Sequence, residues 1–449
     1  MIDTTERVFS IDNKADFSLG MLRNFIDRHR VLSKKYYDLR DMYKGKHLIL
    51  LKDNNKPIYK PDNRLVVNHA KYIVDTLNGF FTGIPIKTIA ENPRVNDYIQ
   101  EFDRYNNIDD LNSEIAKKCS IYGRCYELLF IDEKSKVGAT YIDPMDAFII
   151  YDNSIRQKPL FGIRYTRDKE GVLIGTFSDD SKIYYFRSND KGELIIDQEE
   201  PHYFKAVPMV EYVENEELQG AFENVETLIN AYNKAISEKA NDVDYFADAY
   251  MAILGALLEE KDIINIKNNR IINIEPIADS QQLEVKFLEK PNADTTQENL
   301  IDRLEKLIFN ISMVANINDE NFGTSSGIAL KYKLQSMSNL SNVKERKFVK
   351  SLNKRFELIA NVPNTPIGED DLKNIKYIFT RNVPNNTVEE AQTAAELIGI
   401  TSKETALSTL SIVDDVKKEL DLIKEEEGHG DHDYINYMDS LEDLDNEVE

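Results

Sequence analysis

Cysteine is nearly missing from this 449-residue chain: Cys119 and Cys125 are the only two. A disulfide framework is thereby excluded, and such usage fits a reducing compartment. No apolar run approaches the eighteen or more residues of a membrane span, and no secretory pattern is found, so no membrane partner is expected. Positive charge is also short. Against 79 Asp and Glu stand 56 Lys and Arg, a formal net charge of -23, which argues against a protein that holds DNA by neutralising phosphates. If DNA is a partner, it is handled without a tight grip. There is no repeat of fixed period.

Catalytic signatures are equally thin. Gly45-Lys46 is followed by His47 and lacks the upstream glycine of a phosphate-cradling loop, so the chain is not its own motor. Gly323-Thr-Ser-Ser-Gly327 fits G-x-S-x-G, but that elbow needs a strand before its serine, and an Asn- and Asp-rich loop precedes it here. Ser325 or Ser326 reads better as a helix cap. Ser341-Asn-Val-Lys344 matches S-x-x-K without a supporting second motif. The two cysteines are six apart with no neighbouring histidine and read as small buried side chains of a helix and an adjoining strand. His429, Asp431, His432 and Asp433 lie in a tail dense in acids and free of Lys and Arg, which reads as solvated and disordered. The expectation is a non-enzyme with no cofactor and no metal.

What is present is a mixed α+β pattern. At 449 residues the chain has room for two or more domains. Leu19, Leu22, Phe25, Ile26, Leu32, Leu39 and Met42 mark a long amphipathic helix that breaks at Lys44-Gly-Lys46. Further helices are predicted over Asn68 to Phe80 and Asn112 to Ser120. From Tyr126 to Val213, short Ile-, Tyr-, Phe- and Val-rich runs between Asp, Asn and Gly predict a sheet. Helical spacing returns from Phe222 to Ile253, an element of about 50 Å if continuous. Next, Ile263 to Ile266 and Ile271 to Ile274 predict a hairpin, and Leu283 to Leu288 a third strand. Leu300, Leu304, Leu307, Ile308 and Ile311 form another helical stripe, and a longer one runs from Ile328 to Ile359. On spacing alone these stripes fit core helices of any large α-rich protein equally well.

Between the last two stripes lies a polar loop with Asn316, Asn318, Asp319, Glu320, Asn321, Phe322, Gly323, Thr324 and Gly327, too elaborate for a simple turn. This order of helix, acidic aromatic loop and Ser-Gly-Ile-Ala-Leu-Lys-Tyr-Lys opening a long helix resembles the channel loop of tailed-phage portal proteins of the SPP1 type. Other strings resemble the same family in the same order: Asn63-Arg-Leu-Val-Val-Asn-His-Ala70, Gly79-Phe-Phe-Thr-Gly83, Tyr122-Gly-Arg-Cys-Tyr-Glu127, Ile142-Asp-Pro-Met145, Phe379-Thr-Arg-Asn382 and Gly399-Ile-Thr-Ser402. They spread over residues 20 to 426; the acidic tail lies outside.

The resemblance implies a portal fold with a mixed α/β wing, a long-helix stem, a small β-rich clip and a helical crown, assembled as a closed ring of about twelve copies. It places the wing at 1–220, with 362–385 returning to it, stem helices at 221–254 and 294–315, and the clip at 255–293. The channel loop is then 316–326, followed by a long helix at 327–361, the crown at 386–426 and the acidic tail at 427–449. It further implies double-stranded DNA passing through the channel for packaging and ejection. The implied partners are the terminase large subunit, the major capsid and scaffolding proteins and a head-tail adaptor. Its place would be the portal vertex of the virion, after assembly in the cytoplasm of a bacterial host. The rival classes are a minor head or adaptor protein without a channel, and a nucleic-acid enzyme of the packaging apparatus.

One basic cluster departs from the general acidity. Lys331, Lys333, Lys344, Arg346 and Lys347, continued by Lys350, Lys354 and Arg355, gather on the helix after the loop. They are candidates for contact with passing DNA phosphates or for ion pairs with a neighbouring subunit. An ordinary solvated or paired face is the commoner reading of such a run.

Overall fold

A computed structural model describes residues 7–12, 14–52, 61–247, 251–254, 284–287, 294–317, 327–382, 387–410, 412–413 and 416–426. The channel-loop residues Asn318, Asp319, Glu320, Asn321, Phe322, Gly323 and Thr324 lie outside them. So do the hairpin expected at 263–274 and the acidic tail. The chain divides into two units, Met1–Ala315 with Ser336–Arg381, and Asn316–Gln335 with Asn382–Glu449.

Helix α1 spans Leu19–Tyr43 and begins where Ser18 accepts a hydrogen bond from the Met21 amide, a side-chain cap on an otherwise open helix end. Its Leu22, Phe25 and Ile26 pack on Phe148, Phe161, Ile163 and Phe177 of a six-stranded sheet. That sheet holds β1 (Phe9–Ile11), β5 (Ala147–Asp152), β6 (Pro159–Arg167), β7 (Leu173–Ser178), β8 (Lys182–Ser188) and β9 (Leu194–Pro201), in that order. Only the β1–β5 pair is parallel. The hairpins turn where an Asx side chain captures two backbone amides. Asp168 accepts from Glu170 and Val172, and Asn189 from Lys191 and Glu193, at 2.9 to 3.0 Å.

A second layer is built from β2 (Lys87–Ala90), β3 (Arg124–Ile131), β4 (Val137–Ile142) and β10 (Met209–Val213) with α2 (His69–Thr82), α3 (Pro93–Asn106) and α4 (Ile108–Tyr122). Strands β10, β3 and β4 form an antiparallel sheet. Helix α3 went unread in the sequence, although Asn92 caps it and Pro93 opens it, because its charged faces mask the stripe of Val95, Ile99 and Phe102. The large core of this layer also takes Phe348, Leu352 and Phe356 from far along the chain.

Beyond it come α5 (Glu226–Ala247), β11 (Met251–Leu254), β12 (Glu284–Phe287), α6 (Asp294–Ser312), α7 (Gly327–Ala360) and β13 (Ile375–Ile378). The helix expected to reach residue 254 is shorter. It has 22 residues, about 33 Å, and Met251–Leu254 instead pairs antiparallel with Glu284–Phe287. Strand pairing thus overrides the helical spacing there. Strand β13 does return to the N-terminal part of the chain, but to β2 alone, as a two-stranded ladder outside the larger sheets. In the second unit, α8 (Thr387–Leu397), α9 (Lys403–Leu407) and a helical run over 416–426 line an apolar groove of about 430 Å³.

His29 of α1 supplies a pH test. Its ring is buried between the Tyr165 hydroxyl at 2.7 Å and the Pro144 carbonyl at 2.9 Å. Burial pushes its pKa from 6.5 down to about 3; the Pro144 bond opposes the shift and the Arg124 charge adds to it. Between those values the unfolded chain binds a proton that the folded chain refuses. The contribution of His29 is therefore whole above pH 6.5 and drains away as the pH falls through the window. Asp103, pushed up to about 6 by burial, works in the opposite sense, because its contribution is lost as pH rises from 3.8 through 6. The difference between wild type and His29→Gln isolates the histidine. The unfolding free energy from urea titrations between pH 7 and 4.5 should fall more steeply in wild type, by up to ~1.4 kcal/mol per pH unit. Parallel slopes would refute this assignment.

Candidate functional site

The features with functional bearing are the α5–α6 helix pair and the seat of α7. Helix α5 starts beside a tight joint between α4 and β3, where residues 214 to 221 run against the chain at 120 to 123. The Ala221 amide donates to Ser120 O at 2.7 Å, and the Glu214 amide to Gly123 O at 2.9 Å. One face of α5 then carries Asn233, Ser237 and Asn241, all buried. These accept from the backbone amides of Val67, Leu65 and Asn63 at 2.8, 2.9 and 2.6 Å. Side chains one helical turn apart thus meet alternate amides of an extended segment, which satisfies backbone groups that otherwise lack a ladder. This is what the Asn63-Arg-Leu-Val-Val-Asn string does. Helix α6 packs beside α5 and sets Phe309 edge-on to His69 and Tyr72, while Gln297 donates to Asp242 at 2.9 Å. Beyond the far end of α5, β11 and β12 pair.

Helix α7 lies on α4, β3 and β10 through a row of buried polar groups. Lys344 Nζ is 2.7 Å from Glu214 Oε2 and donates to Ser120 Oγ at 2.6 Å and Ala116 O at 2.9 Å. Ser351 donates to the Glu211 carbonyl at 2.6 Å. Arg355 Nε stands 2.8 Å from Glu127 Oε1, and its Nη2 donates to Asn112 at 2.8 Å. Burial opposes the Arg355 charge, yet Glu127 and Tyr212 beside it hold its pKa above the ordinary value. Tyr212 donates to Glu127 at 2.8 Å. Next to this row, Arg124 is buried and reaches Tyr126 and Glu211.

The basic cluster divides accordingly. Lys344, a candidate for DNA or inter-subunit contact, is 1% exposed and tied within its own chain, so that assignment is corrected. Arg355 is likewise internal. Lys347 pairs with Glu216, and Lys333 and Arg346 are exposed; Lys331 lies in α7. The Lys of the S-x-x-K string therefore meets Ser120, not Ser341. A serine hydroxyl so close to a lysine amine could act as a nucleophile pair, but both groups are fully buried and no substrate reaches them. Cys119 on α4 and Cys125 on β3 are free and buried, as their sequence context indicates.

Sequence reading missed the carboxylates Glu127, Glu211 and Glu214. Glu127 and Glu211 stand inside the apolar runs Cys125 to Ile131 and Met209 to Val213, and an acid within a buried strand is itself the signal of a buried cation partner. Among the described residues no cluster of three or more metal-ligating side chains occurs, and no helix is long and apolar enough to cross a membrane.

A family profile described as "Phage portal protein, SPP1 Gp6-like" matches residues 22–431. The portal protein of Clostridium phage phiCD119 is 23% identical over 424 residues, covering 89% of this chain and 93% of that protein. The portal protein of Bacillus phage SPP1 is 24% identical over 433 residues, 90% of this chain and 82% of that protein. With the family profile running from within α1 to beyond the last described helix, the chain belongs to the SPP1 Gp6-like family of phage portal proteins.

Proposed function

We propose that this chain is a structural, non-enzymatic subunit of a closed ring of about twelve copies, through whose channel double-stranded DNA enters and leaves one vertex of a phage capsid. The observation that carries the reading is the α5–α6 pair with its β11–β12 ladder, in a chain that matches the portal family over nearly its whole length. Here α5 and α6 are the stem, 255–293 the clip, the two sheet layers the wing, 386–426 the crown and 316–326 the channel loop. The ring docks the terminase large subunit and a head-tail adaptor, and meets the capsid and scaffolding proteins during assembly.

The mechanism is mechanical and electrostatic. Twelve chains of charge -23 carry on the order of -280 formal charges, enough to keep a lumen that faces them from trapping DNA. Arg346 and Lys350 are among the exposed cations of the α7 cluster and would face phosphates or carboxylates of the adjoining copy. Electron microscopy of the purified chain tests the reading: rings with a central hole are expected at micromolar concentration. A species that stays monomeric across salt conditions, and with scaffold and capsid protein added, would favour a minor head or adaptor protein.

A further inference from the structure

The apolar face of α7 leaves its axial position undetermined. Phe348, Leu352, Phe356 and Ile359 recur every three or four residues and are all buried. Sliding the helix by one turn, about 5.4 Å, puts one large apolar side chain where another had been, an exchange that cores tolerate at small cost. The buried charges are not interchangeable in this way. Lys344 and Arg355 are eleven residues apart, so they project from one face of the helix about 16 Å apart, opposite Glu214 and Glu127.

A shift of one turn in one direction brings Leu340 or Ser341 to Glu214 and Ser351 or Leu352 to Glu127. In the other direction Lys347 could still reach Glu214, but Leu358 or Ile359 would face Glu127. Neither one-turn shift gives both carboxylates a cation, and a buried carboxylate without one is strongly disfavoured.

We propose that the two buried ion pairs are a register lock: Lys344 and Arg355 are positioning residues that select one axial seat for α7 on α4, β3 and β10. Their task is selection rather than net stability, since a buried pair replaced whole by apolar or neutral groups often leaves stability unchanged. The lock holds the part of α7 from residue 336 onward, in the helix that the chain enters after residues 318–326. It concerns the single chain and stands whether or not the ring forms.

The test removes both pairs whole, in the variant Lys344→Met, Glu214→Gln, Arg355→Met, Glu127→Gln. Cys119 lies under α7 in the same core as Phe348 and Leu352, and burial pushes its thiol pKa up, so it is inert to thiol reagents until α7 moves. The variant should keep a urea midpoint near that of wild type while Cys119 is labelled about tenfold faster or more under native conditions. Labelling at the wild-type rate, or accelerated only in step with a lowered midpoint, would overturn the lock in favour of plain packing. Hydrogen exchange on the wild type gives an answer even if the variant does not fold. Amides of 344–359 should exchange as slowly as those of β3 and β10, opening only with the whole domain; faster exchange in α7 would refute the proposal.

Discussion

A chain lacking Asp319 to Thr324 should still form rings and procapsids, yet package or retain almost no DNA. The expectation rests on what holds the described part of the fold. Among the described residues, the α5–α6 pair, the seat of α7 and both sheet layers are built from segments on either side of it in the sequence. As the channel loop of the proposed ring, the segment brings an acidic pair, one aromatic ring and Gly323 to the duplex. Contacts of that kind act through surface and backbone rather than base reading, so all DNA sequences should be affected alike. Phe322→Ala should give a milder loss at the same step. Counting full and empty heads, together with virion yield, measures both. Normal yield from the shortened chain would remove the assigned role, and absence of rings would make the segment a structural brace.

Gly123→Ala should be the most damaging single substitution in the α4–β3 region. Gly123 has φ +84, and a Cβ built there would lie 2.0 Å from the Leu218 carbonyl oxygen and 2.8 Å from the Gln219 amide nitrogen. These are backbone atoms that cannot step aside. The same joint orders the start of α5 through the Ala221–Ser120 hydrogen bond and sets Arg124 and Glu214 in place, so relief of the clash displaces α5 and the α7 seat together. A loss of about 4 kcal/mol or more, or insoluble expression, is expected. Gly171→Ala is the control. Its φ is +83, but nothing lies within 4 Å of the added Cβ, so only the backbone penalty of about 1 kcal/mol remains. If the two variants melt within a few degrees of each other, the close approach at Leu218 does not constrain the fold.

Much of this protein is written locally. The α1 stripe and its Ser18 cap, the start of α2 at Asn68, the strand texture after Tyr126 and the burial of Cys119 and Cys125 follow from spacing and from residue chemistry acting over a few positions. So does the resemblance that pointed to the family, because its strings are short and contiguous. The end of α5 at Ala247 was not legible, since Met251–Leu254 satisfies a helical stripe and a strand equally until Glu284–Phe287 arrives to pair with it.

Nor was the fate of Lys344. Periodicity shows that Lys344, Ser351 and Arg355 share a face of α7, but not that the face is covered. That depends on Glu214 and Glu127, brought from more than a hundred residues away. The Asn63 to Asn68 string was visible as a pattern without its purpose, which emerges only when Asn233, Ser237 and Asn241 present side-chain oxygens to its amides. The sequence by itself determined the α1 and α2 helices, the strand texture after Tyr126, the charge and the family. Tertiary structure alone decided which cations are surface and which are core, because burial and ion pairing are set by partners distant along the chain.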